Sequence, residues 1–467
     1  MTRTQKWTLA VVCAATAMLM LDIAVVNTAL PRIGEDLQTG LTGLQWVVDA
    51  YTLALATVVL SAGALADRLG RRRLFAWGLA LFTVASLACA ASTDIAFLHV
   101  SRAVQGVGGA VMFAVSLALL ANAFPGEKER AKALAAYGAT IGASFAVGPA
   151  VGGALTTALD WQWIFLINLP IGIACLAVTR AYVQESRDPN APRIDWAGQF
   201  TLGGSLFLLV GALLRGNEEG WGSALIAGGL AAAVALLVAF VVIEMKVSEP
   251  MLPMRLFRSG DFAGAQIAAF AISASFFAVF IYSTLYLQNV LGLSALEAGL
   301  VFVPATMVNL FVAGATSSMG ERVSHRAMIS VGLLLVGAGM VGMLVIGVDT
   351  AWGVMLPGSI VAMIGTGMFN PSVIAVALRS VPEESSGLAA GVNDTFRQAG
   401  IAVGVAALGA LIPAAPGLGG DAAGYVAGLH DALLAGAVLA VAGGVAAAIL
   451  IDGRKKSPAL KPALQGA

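Results

Sequence analysis

The chain has 467 residues, of which 59% are hydrophobic and only 11% are charged. Soluble domains carry about 25% charged residues, so a chain this apolar cannot hide its hydrophobic surface in a water-soluble core. The 26 basic and 26 acidic side chains cancel, which gives no indication of nucleic acid or of an acidic partner. A mean hydropathy of +0.88 indicates an integral membrane protein.

The apolar residues form fourteen continuous segments of about 20 residues, the length that crosses the hydrocarbon core of a bilayer. Continuous rather than alternating apolar runs indicate helices rather than barrel strands. The predicted spans are 8–29, 44–65, 74–93, 98–122, 133–157, 162–182, 196–214, 221–243, 262–286, 297–318, 327–347, 353–378, 391–413 and 430–451. The first run is too long for a signal peptide and contains Asp22, so we expect it to be retained as a transmembrane helix.

Basic residues concentrate in alternate loops between these spans. Of the 26 Lys and Arg residues, 22 lie in loops on one side, whereas only Arg32 and Arg215 lie in loops on the other. Cytoplasmic loops carry the excess of Lys and Arg in membrane proteins. The pattern predicts a multi-pass protein of the plasma (inner) membrane with both termini in the cytoplasm, which requires an even number of spans.

The chain contains an internal repeat. The loop after the second span begins at Asp67, and the loop after the tenth begins at Glu321, 254 residues later, with arginines at matching positions. The sequences PGE at 125–127 and PEE at 382–384 form a second match at a similar offset. A shift of eight helices predicts two six-helix halves separated by two extra helices, a transporter architecture with its substrate site between the halves.

The predicted fold is therefore an all-α membrane protein with fourteen transmembrane helices. Its regions are an N-terminal six-helix half (1–185), a two-helix central insert (186–250), a C-terminal six-helix half (251–453) and a cytoplasmic tail (454–467). The sequence lacks motifs for ATP binding or hydrolytic catalysis, and its three cysteines lack metal-ligand spacing. We expect no enzyme activity, no metal and no cofactor, and a proton gradient as the energy source.

Ionisable residues in or at the ends of predicted spans are candidates for function, because charges are costly there. The candidates are Asp22, Asp49, Arg102, Asp394 and Arg397. A buried acid can bind and release a proton near neutral pH, and its charge can attract a cationic substrate. Each residue also has a purely structural interpretation. Asp22 could only form a hydrogen bond with Asn27 or the backbone, and Asp49 could be hydrated at the outer interface. Arg102 could only neutralise a buried acid, and Asp394 and Arg397 could only pair with each other.

Two further segments indicate conformational roles. The fifth span contains Gly148, Pro149, Gly152 and Gly153. Small residues allow close approach of helices and proline removes one backbone bond, so this segment predicts a hinge or a tight seal. The charged loop and its repeat predict a latch across the cytoplasmic face, formed by Asp67, Arg68, Arg71, Glu321 and Arg322.

These motifs resemble those of the major facilitator superfamily, and within it the fourteen-helix drug:proton antiporter family. The loop GALADRLGRR at 63–72 is similar to the superfamily's loop signature, and LDIAVVNTALP at 21–31 is similar to the helix-one signature of the fourteen-helix family. RAVQGVGG at 102–109 resembles the helix-four motif, and GPAVGG at 148–153 resembles the antiporter motif. NDTFRQ at 393–398 also resembles the family, and the resemblance covers nearly the whole chain.

The resemblance implies roles for individual residues. Asp22 and Arg102 would couple proton movement to transport, and Asp49 and Asp394 would be further coupling or cation-contacting acids. Asn27 and Arg397 lie in the same motifs and are candidates for substrate contact or coupling, while Asp67 and Arg71 would belong to the latch. The chain departs from the family pattern at Ser144, where the antiporter motif usually has glycine, and in its second loop, which has Glu321 and Ser324.

The sequence predicts a proton-coupled antiporter that exports small lipophilic drugs or antibiotics, which can be cationic, by alternating access. Its expected partners are this substrate, protons and membrane lipids, without nucleic acid, and we expect a monomer. Three alternatives remain open: a dedicated exporter of one endogenous metabolite or lipid, an importer, and a non-transporting sensor with a transporter fold.

Overall fold

A computed structural model describes residues 1–188, 193–319, 323–382, 385–413 and 421–452. These ranges contain fourteen long helical segments. They are α1 (Arg3–Asp36), α2 (Leu41–Leu69), α3 (Arg71–Ala90), α4 (Ile95–Ala123), α5 (Glu127–Ala158), α6 (Trp163–Tyr182), α7 (Trp196–Glu219), α8 (Ala224–Lys246), α9 (Gly260–Val290), α10 (Ala295–Met319), α11 (His325–Val345), α12 (Trp352–Arg379), α13 (Ser386–Gly409) and α14 (Ala422–Leu450). A short 3-10 turn, Met254–Arg258, joins α8 to α9.

Each predicted span coincides with one of these helices, and most helices extend several residues beyond it. Thirteen of the helices are long and apolar enough to cross a membrane. The exception is α13, because the polar residues Asn393, Asp394, Arg397 and Gln398 occupy two of its turns. Passage of α13 through the bilayer, and therefore the count of fourteen spans, stays a prediction.

Helix packing divides into contacts within two sets and a few contacts between them. Helix α1 packs on α5, α2 on α4, and α3 on both α4 and α6. Within the second set, α10 packs on α12, and α11 packs on α12 and α14. The pairs α2–α13 and α5–α10 join the two sets, and α7 covers α2 and α13 where they meet. The division into domains stays a prediction, and the tail at 454–467 lies outside the described residues.

Glycines allow α5 to approach both neighbouring helices closely. A β-carbon at Gly152 would lie 2.7 Å from the Val25 Cα of α1, and one at Gly153 would lie 2.8 Å from the Leu296 Cα of α10. On α10 itself, a β-carbon at Gly299 would overlap the carbonyl group of Pro149. These positions form a tightly packed seam between α1, α5 and α10, which favours the seal interpretation of the glycine-rich segment.

We expect Gly153→Ala to lower the apparent unfolding temperature in detergent, because the added methyl group overpacks the seam at a cost of about 1–3 kcal/mol. The matched control is Gly138→Ala on the same helix, where nothing lies within 4 Å of the new β-carbon. Alanine favours a helix over glycine by about 1 kcal/mol, so the control variant should be unchanged or slightly more stable. Equal shifts in the two variants would contradict the close packing.

Candidate proton-coupling site

An aspartate and an arginine from different helices meet inside the bundle. Asp22 of α1 and Arg102 of α4 are each 1% exposed, and Nη1 of Arg102 lies 2.6 Å from Oδ2 of Asp22. A buried ion pair must recover a large desolvation penalty, which requires good geometry and additional hydrogen bonds. The two candidates that the helix-one and helix-four motifs supplied are therefore direct partners.

Amide side chains complete this ion pair. Gln105 and Asn168 donate hydrogen bonds of 2.8 and 3.0 Å to Oδ1 of Asp22. Arg102 donates to Oε1 of Gln105 at 2.6 Å and, through Nε, to the carbonyl of Val47 at 3.1 Å. The network ties α1, α2, α4 and α6 together and satisfies both oxygens of the carboxylate. Asn27 is buried as well, but it is not among these partners of Asp22.

Aromatic rings shield the arginine from its surroundings. The guanidinium carbon of Arg102 lies 4.3 Å from the ring centroid of Tyr51 and 5.6 Å from that of Phe165. A cation over an aromatic face gains electrostatic stabilisation that increases when the pair is desolvated. Ring contacts and the acceptor oxygens of Gln105 and Val47 therefore hold the charge of Arg102 at one place, and a change in the charge of Asp22 would act directly on α4.

Asp49 of α2 occupies a second buried position. It is fully buried, and neither carboxylate oxygen has a hydrogen-bond partner among the described residues. One turn earlier, Gln45 donates to the Tyr282 hydroxyl of α9 at 2.7 Å, and that hydroxyl bonds the carbonyl of Val405 on α13. Asp49 thus lies in the bundle interior rather than at a hydrated interface. An unpaired carboxylate in an apolar interior is costly, so this side chain is a candidate to bind a proton or a cationic group.

Asp394 and Arg397 lie one turn apart on α13 but do not form an ion pair among the described residues. Asp394 is 6% exposed, and its Oδ2 has no hydrogen-bond partner within the part of the chain that the structure describes. The neighbouring Asn393 donates to Oε1 of Gln266 on α9 at 3.1 Å. Asp394 is therefore a second acid with an unused buried oxygen, on the helix that packs against α2.

The proposed latch residues of the first loop contact each other and the segment that follows α6. Arg71 lies 2.8 Å from Asp67, one helical turn away, across Gly70, whose φ of 109° lies in the region that favours glycine. The backbone of this loop also bonds the segment after α6, through Asp67 and Asp188 at 2.9 Å. Arg68 is exposed, whereas Glu321 and Arg322 lie outside the described residues. A latch that crosses between halves stays a prediction.

The side chains of Gln105 and Asn168 were not among the site residues predicted from the sequence. Gln105 belongs to the motif at 102–109 and lies one turn from Arg102, and Asn168 is an isolated amide in an apolar span. A polar side chain at such a position is the feature of the sequence that indicates a buried partner. Both amides reach Asp22 because of the way α1, α4 and α6 cross. These crossings cannot be deduced from a single sequence. Among the described residues, no group of three or more His, Cys, Asp and Glu side chains is placed to hold a metal ion.

Comparison with known families decides the class of this protein. A family model described as the Major Facilitator Superfamily matches residues 12–405. The chain belongs to the major facilitator superfamily. It is therefore a multi-pass membrane transporter and not an enzyme. The resemblance that the motifs indicated is confirmed at the level of the superfamily.

Relatives of this superfamily member include named drug-resistance proteins. It is 35% identical to the multidrug resistance protein Stp of Mycobacterium tuberculosis, over 89% of this chain and 77% of that protein. It is 32% identical to the methylenomycin A resistance protein of Streptomyces coelicolor, over 85% and 83% of the two chains. The puromycin resistance protein pur8 of Streptomyces alboniger is 34% identical, over 86% and 80%.

A solved structure shares the fold of this superfamily member. The crystal structure of the human organic anion transporter MFSD10 (TETRAN) matches with a TM-score of 0.63 at 15% identity, over 96% of this chain and 100% of that chain. At this identity the similarity concerns the fold alone.

The ion pair can be tested by a double-mutant cycle on Asp22→Asn and Arg102→Gln. Each single change strands a buried polar partner and should destabilise the protein by about 3–5 kcal/mol. The double variant should be less destabilised than the sum of the two, with a coupling of about 1–3 kcal/mol. Unfolding in detergent, followed by temperature and denaturant, provides the measurement.

The matched control for this cycle is Arg32→Gln, which removes an arginine from the exposed pair with Glu35 at 3.0 Å. Exposed ion pairs contribute up to about 1 kcal/mol, so the control should remain close to wild type. Strict additivity of the Asp22 and Arg102 changes would show that the pair does not stabilise the bundle.

Proposed function

We propose that the protein is a proton-coupled antiporter that exports small lipophilic drugs or antibiotics across the plasma membrane by alternating access. Three relatives with 32–35% identity carry the names of drug-resistance proteins, which supports drug export. The observation that carries proton coupling is the buried pair of Asp22 and Arg102. The proton gradient takes the place of a cofactor, and the monomer is the functional unit.

Protonation of Asp22 would change how α1 and α4 are joined. A proton on Oδ2 removes the negative charge that holds Arg102 and converts the acceptor of the 2.6 Å contact into a hydroxyl group. The guanidinium then keeps only the oxygen of Gln105, the carbonyl of Val47 and its aromatic contacts. A local charge change that alters the link between packed helices is the type of event that biases a two-state protein.

The acids between α2 and α13 supply the second part of the coupling. Asp49 and Asp394 both have buried carboxylate oxygens without hydrogen-bond partners in the described ranges. A proton and the positive charge of a lipophilic cation would compete for these oxygens, so that binding of one displaces the other. Asn27 and Arg397 remain candidate contacts to substrate.

The contacts between the two sets of helices fit alternating access. The internal repeat pairs α2 with α10 and α5 with α13. The contact between α2 and α13 is therefore equivalent to the contact between α10 and α5. Near the carboxyl end of α5, Gly153 is packed against α10, whereas nothing lies within 4 Å of a β-carbon at Gly138 or at Gly314 towards the opposite end. If both termini lie in the cytoplasm, the end of the α5–α10 contact at Gly153 is extracellular and the end with free space at Gly138 is cytoplasmic. Rocking of one set of helices against the other would open the extracellular end and close the cytoplasmic end.

Substrate-induced proton flux in proteoliposomes tests this proposal. Purified protein is reconstituted with an alkaline lumen, and internal pH is followed while lipophilic cations and neutral antibiotics are added one at a time. We expect some compounds to dissipate the gradient, and Asp22→Asn to reduce that flux about a hundredfold or more, the usual range for loss of a positioned proton-transfer group.

Asp349→Asn is the matched control for this assay, because Asp349 is exposed in the loop between α11 and α12. It should transport like the wild type. A flat response across the panel would contradict drug:proton antiport and favour the narrow metabolite exporter or the sensor. Equal flux in wild type and Asp22→Asn would contradict the role of Asp22.

A further inference from the structure

A cleft opens between the beginning of α3 and the end of α6. Its volume is about 390 Å³. It is lined by Arg72, Arg73, Ala76, Trp77, Ala80 and Arg180. Arg72 and Arg73 lie in the first turn of α3 and Arg180 lies in the last turn of α6, so three arginines line the cleft where these two helix ends meet.

The positive charge of this cleft is only partly neutralised. The carboxylate of Glu185 lies 3.8 Å from Arg72 and 3.7 Å from Arg73, and it accepts the backbone N–H of Arg72 at 3.0 Å. Arg180 is exposed and has no ion pair or hydrogen bond to the rest of the described chain. One carboxylate therefore lies near two of the three arginines and none pairs with Arg180 among the described residues, while the amino end of α3 is already occupied by Glu185.

The cleft continues into an apolar face of α3. Trp77, Val84 and Leu87 are 73%, 65% and 49% exposed, and with Ala80 they recur at intervals of three and four residues, which places them on one side of the helix. Tryptophan favours the interface between headgroups and hydrocarbon. The same groove thus presents cations at its polar end and a continuous apolar stripe along its length.

We propose that this cleft binds an anionic phospholipid, with the headgroup phosphate among the three arginines and an acyl chain along the stripe from Trp77 to Leu87. Guanidinium groups recognise phosphate through paired, charge-assisted hydrogen bonds. Basic pockets between transmembrane helices on the cytoplasmic side bind acidic headgroups, and the excess of basic loop residues places this cleft there. The stripe favours a lipid over a free anion, because an acyl chain can cover the apolar side chains and a free phosphate cannot.

Native mass spectrometry of the protein released from nanodiscs tests this proposal. The discs contain phosphatidylcholine alone or a mixture with phosphatidylglycerol, and the occupancy of each bound lipid is measured. The wild type should retain phosphatidylglycerol in preference to phosphatidylcholine. The double variant Arg73→Gln, Arg180→Gln should lower that occupancy about tenfold, since two of the three attracting charges are gone.

The matched control is Arg255→Gln, Arg258→Gln, which removes two exposed arginines from the turn before α9 and lies outside the cleft. It should retain phosphatidylglycerol like the wild type. Three results would overturn the proposal: equal loss in both double variants, equal retention of the two lipids by the wild type, and displacement of phosphatidylglycerol by millimolar inorganic phosphate. Unfolding temperatures of both double variants in phosphatidylcholine discs show that each remains folded.

Discussion

The ion pair between Asp22 and Arg102 constrains the helices around it. Two opposite charges without solvent contact are stable in an apolar interior only while each remains paired and hydrogen-bonded. The distance of 2.6 Å between them and the donors Gln105 and Asn168 meet that condition. This requirement ties four helices together, and in the proposed mechanism a single proton on Asp22 would disturb it.

Helix α1 connects this pair to the packed seam. Asp22 faces α4 and α6, whereas Ala24, Val25 and Thr28, within two turns, contact the glycines of α5. A change in the bonding of Asp22 therefore occurs within a few residues of the contact that brings α5 against α10. Charge and packing act on one helix, which gives a physical route from proton binding to movement between the two sets of helices.

Much of this arrangement was predictable from the sequence. Apolar runs located all fourteen helices, and they made Asp22 and Arg102 candidates for burial. For Asp49 the sequence left hydration at the outer interface open, and the structure buries it fully. The partners of Asp22 were not predictable, because they come from three other helices whose crossings depend on side-chain packing. The environment of the polar residues in α13 was not predictable either: Asn393 bonds Gln266 of α9, whereas Oδ2 of Asp394 has no hydrogen-bond partner among the described residues.

In the proposed mechanism, a cationic substrate and a proton compete for the buried carboxylates of Asp49 and Asp394. Its most direct test is proton release on binding, measured by adding a transported lipophilic cation to purified protein in weakly buffered detergent solution. This mechanism predicts acidification in proportion to the cation bound, and a marked loss of that acidification in the double variant Asp49→Asn, Asp394→Asn. Saturable binding without proton release by the wild type would contradict it.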